Sequence, residues 1–117
     1  MMHEFSIALN ILEIAESTAL QHEAPGISEV EVEVGDAAGV NIEALEFAWE
    51  SAAGASPLLK QSKLAIHRVP LLFECPRCRH QYSPAELDVI CPACGEKDSL
   101  LVQGRELKVK SVTLMDP

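Results

Sequence analysis

Positive charge is scarce in this chain beside negative charge. Nine lysine and arginine residues stand against eighteen aspartate and glutamate in 117 residues, a formal net charge of -9. A phosphate backbone is held by Lys and Arg side chains that displace its counterions, so no nucleic acid partner is expected. Long apolar runs are missing too: no segment approaches the roughly 18 residues needed to span a bilayer, and no membrane partner is expected. The start, Met1-Met2-His3-Glu4-Phe5, has no basic run leading into an apolar stretch and a small-residue cleavage site, so the expected compartment is the cytoplasm. A glycine-rich phosphate loop and an open metal site are also absent, and an enzyme is not expected.

What is present is ordinary globular material, 48% hydrophobic and 23% charged, far from the profile of a disordered chain. The acidity is uneven. Residues 1–70 carry eleven acidic against three basic side chains, residues 71–104 five against three, and residues 105–117 two against three. The length fits one ordinary domain or two very small ones, and a piece of about 40 residues seldom builds a sufficient core without a metal or a disulfide.

From Phe5 to Gln21 the polar residues Ser6, Asn10, Glu13, Ser17 and Gln21 recur at steps of four and three among apolar neighbours, which predicts a helix with a narrow wet stripe. Pro25-Gly26 breaks it. Val30, Val32 and Val34 then alternate with Glu29, Glu31 and Glu33, the pattern of a half-buried strand. Gly35–Gly39 reads as a loop, and Asn41 is placed to cap a second helix with Ile42, Leu45, Ala48, Trp49 and Ala52 on one side. Lys63–Val69 predicts a second strand and Glu106–Leu114 a third, with Lys108 and Lys110 facing opposite to Leu107 and Val109 and able to sit across from the three glutamates. The expected fold is α+β: two helices on a small three-stranded sheet, formed by residues 1–70 plus 105–117, with a zinc-ribbon-like insert at 71–104.

That insert holds all four cysteines, as Cys75-Pro-Arg-Cys78 and Cys91-Pro-Ala-Cys94-Gly95 with twelve residues between the pairs. In the cytosol thiols stay reduced, and paired cysteines more often mean metal than disulfide. Two tight turns, each presenting two sulfurs, supply the tetrahedral four-thiolate cage of zinc. Four free or redox-active thiols, or iron on the same ligands, are the alternatives. No fifth donor is implied, so the zinc is expected to be structural and to contribute folding free energy. His80 could displace a cysteine, and Arg77 and Arg79 could soften the charge of a zinc tetrathiolate.

His3 changes meaning with its position. An α-amine, backbone amides and an imidazole within three residues can wrap a divalent ion in a square-planar nitrogen set, which selects nickel(II) or copper(II). His22 and His67 read as surface or strand residues, with His67 a candidate transient nickel donor.

These features together resemble the hydrogenase nickel-incorporation accessory family (HypA/HybF). The residues that carry the resemblance are Met2-His3-Glu4-Phe5-Ser6, Val32-Glu33-Val34-Gly35-Asp36 followed by Gly39-Val40, Ala44-Leu45-Glu46-Phe47-Ala48, and the two cysteine pairs. The resemblance covers essentially the whole chain. It implies a nickel metallochaperone, not a catalyst, for maturation of nickel-iron hydrogenase and in some relatives urease. It further implies Ni2+ as cargo and Zn2+ as a structural ion, with a nickel-handling GTPase (HypB) and the hydrogenase large subunit as partners, and it leaves a homodimer open. Carried over, His3 would be the nickel imidazole ligand, Glu4 would contribute its backbone nitrogen more than its carboxylate, and Cys75, Cys78, Cys91 and Cys94 would hold zinc. The chain departs from the family pattern in that a second methionine precedes the histidine. With Met1 present, the amine, two amides and His3 complete a four-nitrogen chelate; without it, Glu4 is needed. The competing reading is a zinc-ribbon protein-interaction adaptor with no nickel function.

Overall fold

The computed structural model describes residues 2–117 as two compact units. The first holds the residues up to Glu33 with Val40–His67 and Lys108–Pro117; the second holds Val34–Gly39 and Arg68–Leu107. In chain order the elements are α1 (Met2–Gln21), β1 (Ile27–Gly35), α2 (Ile42–Gly54), β2 (Lys63–Val69), β3 (Leu72–Glu74), β4 (Gln81–Tyr82), β5 (Leu100–Gln103) and β6 (Leu107–Leu114).

Helix α1 buries Ile7, Ala8, Ile11, Leu12, Ala15 and Ala19, a face set by their spacing. Three of those six are alanines, and α2 answers with Ala48, Ala52 and Ala53; the small side chains let the two helices pack closely. The helix begins three residues earlier than the periodicity predicts, at Met2, because Met2-His3-Glu4 is too short a stretch to carry a periodic signal. It ends where Glu23 takes φ 52° and Ala24 N–H reaches the Ala19 carbonyl at 2.9 Å, a left-handed stop usually made by glycine.

Asn41 caps α2 as expected: it is extended, and its side-chain oxygen accepts the Ala44 N–H at 2.9 Å. Two glutamates of α1 hold the ends of α2. Glu4 is buried and its Oε2 accepts the Asn41 N–H at 3.1 Å, while Glu16 Oε2 accepts the Ser56 hydroxyl at 2.6 Å. The Asn41 N–H is the main cause that draws the Glu4 carboxyl below its ordinary value, outweighing its burial.

The first sheet has strand order β2-β1-β6. Val30, Val32 and Val34 of β1 are fully or nearly fully buried and the glutamates between them partly exposed, as alternation requires. Full burial of one such aliphatic side chain contributes about 1.5–3 kcal/mol. Met115 N–H bonds the Gly26 carbonyl at one end and Lys108 meets Glu33 at the other, so β6 runs antiparallel to β1. Ile27 N–H bonds Leu58 O ahead of β2, and Glu31 meets His67 near its end, so β2 runs parallel to β1 across the α2 connection.

Of the two lysines expected opposite the glutamates, Lys108 pairs with Glu33 at 3.4 Å. Glu31 instead takes the Ser111 hydroxyl at 2.7 Å and His67 Nε2 at 3.2 Å. Those contacts, the Ser111 bond first, hold the Glu31 carboxyl below its ordinary 4.5. A carboxyl lowered on folding stabilises above its unfolded value and loses that contribution as pH falls through the folded one. The stability gap between the parent and Glu31→Gln is therefore expected to close below about pH 4.5, as thermal unfolding across pH 2–6 would record. A constant gap would show that the Ser111 and His67 bonds do not favour the ionised form.

In the second unit β3 is central, with strand order β4-β3-β5. Phe73 is buried against Tyr82, ring centroids 5.5 Å apart. Gly35 approaches Gly104 so closely that an added Cβ would meet the Gly104 carbonyl oxygen at 2.0 Å. Around it, Asp36 N–H bonds the Val69 carbonyl and Ala37 N–H the Gly104 carbonyl. Gly35→Ala forces this backbone apart, and a loss of about 1–3 kcal/mol is expected from overpacking, measured by urea unfolding of the zinc-loaded protein; unchanged stability would contradict the close approach.

Candidate metal centre

Each cysteine pair is built the same way. Cys75 N–H bonds the His80 carbonyl at 3.0 Å and Arg79 N–H bonds the Cys75 carbonyl at 2.9 Å. In the other turn Cys91 N–H bonds the Glu96 carbonyl and Gly95 N–H the Cys91 carbonyl, both at 2.8 Å. The residue after the second cysteine must turn left-handed: Gly95 does so at φ 80°, and Arg79 at φ 65° does so against the steric cost of a Cβ. The matching hydrogen-bond frames aim both cysteines of each turn the same way.

The four sulfurs converge. All lie within 4.8 Å of one another, with Cys75 Sγ 3.6 Å from Cys94 Sγ and Cys78 Sγ 3.7 Å from Cys91 Sγ. A disulfide needs about 2.05 Å, and the cysteines are free thiols. A tetrahedron drawn about 2.3 Å from a central ion has edges of about 3.8 Å. The cage has the size and donor chemistry of a structural zinc site. Cys75 and Cys91 are buried and Cys78 and Cys94 exposed, so one sulfur of each pair anchors the cage in the fold.

The thiols oppose one another electrically. Backbone N–H groups of Cys78 and, less strongly, Arg77 bring Cys75 down to about 7 in spite of burial. The Glu96 N–H acts in the same sense on Cys94, but burial and the thiols of Cys75, Cys78 and Cys91 prevail and push it up to about 12. One sulfur prepared as thiolate beside another that resists ionising is an arrangement that a divalent cation relieves, since metal ligation requires the deprotonated donors.

Arg77 and Arg79, expected to temper the thiolate charge, are engaged elsewhere. Arg77 pairs with Glu96 at 3.8 Å and Arg79 with Glu74 at 3.1 Å, where Gln81 also donates at 2.9 Å. The carboxylates beside the knuckles claim the guanidinium groups. His80 is outside the thiol group and stacks on Tyr82 at 6.1 Å.

His3 is exposed in the first turn of α1. Glu4 follows it with its carboxylate turned inward on Asn41. The question raised by Met1 lies outside the described residues. His67 faces Glu31 on the first sheet and His22 is exposed after α1. Among the described residues no helix is long and apolar enough to cross a membrane. Sequence reading did not find the inward roles of Glu4 and Glu16; the available signal was their position on α1 next to apolar residues, where an ordinary helix puts its core face.

With this α+β fold and this thiol cage, the chain is a metal-binding protein of the zinc-ribbon-bearing kind. Comparison with known proteins narrows that class. The family model described as "Hydrogenase/urease nickel incorporation, metallochaperone, hypA" matches residues 2–114, and the chain belongs to that family. It is 40% identical over 111 residues to the hydrogenase maturation factor HypA of Geobacter sulfurreducens, covering 95% of this chain and 97% of the relative. To the factor of the same name from Chlorobium phaeobacteroides it is 36% identical over 113 residues, covering 97% and 99%. The solution structure of the Ni metallochaperone HypA from Helicobacter pylori is similar at TM-score 0.68 and 25% identity, covering 97% of this chain and 98% of that one. A second HypA solution structure reaches 0.74 at 27% identity and 98% coverage of both.

Proposed function

We propose that this chain binds nickel(II) through His3 at its N-terminus and delivers it during maturation of nickel-iron hydrogenase, and of urease where that enzyme is served. The observation that carries the reading is an exposed His3 at the start of α1 in a chain matched across residues 2–114 by a nickel-incorporation family. Residues 1–70 with 105–117 form the nickel-binding domain, and the 71–104 insert holds structural zinc through Cys75, Cys78, Cys91 and Cys94. The protein acts in the cytoplasm without catalysing a reaction, and its partners are the nickel-handling GTPase HypB and the hydrogenase large subunit.

Ligand exchange is the mechanism. The first turn is where a helix gives up its hydrogen bonds at least cost, so the backbone amides of Met2, His3 and Glu4, once deprotonated, are within reach of a metal there. A square-planar nitrogen set demands that these residues lie nearly flat around the ion, which a helical turn does not allow. The site is open and shallow, so nickel can pass to a tighter acceptor. The inward carboxylate of Glu4 supports a backbone role for this residue over a carboxylate one.

Nickel uptake is accordingly expected to unwind the first turn of α1 and to be felt at Asn41. In an amide NMR spectrum of the zinc-loaded protein, one equivalent of nickel(II) should shift or broaden residues 3–5 and Asn41 and leave residues 75–96 unmoved. Changes confined to the cysteine turns would mean that nickel displaces zinc, and would defeat the proposal.

A further inference from the structure

The outer face of α2 is unusual for a helix that has only water beside it. Glu43, Glu46, Phe47 and Glu50 are all exposed, at a spacing that puts them in one stripe. Phe47, 75% exposed, is the most exposed large apolar side chain among the described residues. Glu46 and Glu50 are one turn apart, so they repel. Glu50 approaches the negative end of the helix dipole, and the last turn has no basic residue. Among the described residues none of these three carboxylates faces a basic group or histidine within 4 Å. Beside the stripe lies a cleft of about 240 Å³ lined by Glu46, Trp49, Glu50, Ser62, Lys63 and Leu64.

We infer that this face of α2 is a docking surface for a basic amphipathic helix of a partner protein. Three carboxylates around one aromatic anchor call for lysine or arginine flanking an apolar stripe, and the anchor spacing of a helix laid in a groove is the one α2 offers. A second copy of the chain would set the same acidic face against itself, and its net charge of -9 opposes that pairing. Membrane headgroups and nucleic acid carry the wrong sign.

The lone tryptophan, Trp49, is buried in α2 and lines the cleft beside the stripe, so its emission reports on the Glu46–Glu50 edge of this surface. The test titrates the zinc-loaded full chain with a synthetic helical peptide of leucine and lysine at heptad spacing, beside a lysine-to-glutamate and a leucine-to-serine version. Trp49 emission should change with the first peptide alone, with amide shifts centred on residues 43–50. Phe47→Ala should weaken binding at least tenfold with helix content and zinc unchanged, since the ring is exposed. Replacing Glu43, Glu46 and Glu50 together by Gln should flatten the salt dependence. The inference is overturned if Phe47→Ala binds like the parent, if the leucine-free peptide binds equally well, if the shifts fall on Glu29–Glu33, or if sedimentation without peptide shows self-association lost in Phe47→Ala.

Discussion

Replacing Cys91 by alanine is expected to strip the protein of zinc and to unfold the unit that holds it. Cys91 is buried, its N–H and carbonyl both close the second knuckle, and its sulfur stands 3.7 Å from Cys78. The strands around the cage are short: β3 has three residues, β4 two and β5 four. A segment this small has little other cohesion, and in zinc-finger peptides the bound ion is worth about 10–16 kcal/mol of apparent folding free energy. Metal analysis should find one zinc per parent chain and none per variant, and limited proteolysis should cut the variant between Arg68 and Leu107 where the parent resists. A Cys91→Ala protein with unchanged zinc content and unchanged resistance would sink the structural role assigned to the four thiols.

The second large effect belongs to His3. In zinc-loaded protein whose N-terminus has been verified by intact mass, calorimetry should show one nickel per chain, and His3→Ala should weaken it about a hundredfold or more, equivalent to about 2.7 kcal/mol. Because His3 is exposed, the substitution should leave the fold and the zinc untouched. Protons compete for the same nitrogens, so nickel affinity of the parent should fall between about pH 8 and 5.5. Equal nickel binding by parent and variant would remove His3 from the site and favour the adaptor reading. Persistence of the Glu4–Asn41 contact in the variant is the internal control that α1 still starts where it does.

Much of this architecture is local enough to be read in the chain. The valine-glutamate alternation of β1, the Asn41 cap and the doubled cysteine turns each announce themselves within a few residues, because pleat, cap and knuckle are short-range geometries. What was not legible is long-range. Glu4 and Glu16 look like ordinary helix glutamates until α2 arrives with Asn41 and Ser56 to receive them. Arg77 and Arg79 point to thiolate on sequence grounds, yet Glu96 and Glu74 flank the same turns and are better partners for guanidinium. Leu107 belongs by alternation to the inner face of β6, but it is 40% exposed where that strand begins, a boundary that periodicity does not mark.

The chain order of the strands has a further consequence, for synthesis. The β6 edge of the first sheet is made by the last strand of the described residues, so that sheet cannot be completed until residue 114 has left the ribosome. All four cysteines emerge earlier. Bringing together the ends of an unstructured segment of roughly forty residues costs about 3 kcal/mol of chain entropy. A zinc ion captured during translation would order the segment between Val69 and Leu107 in advance, leaving β6 a much shorter search for β1. Zinc supply would then govern how fast the first sheet is completed.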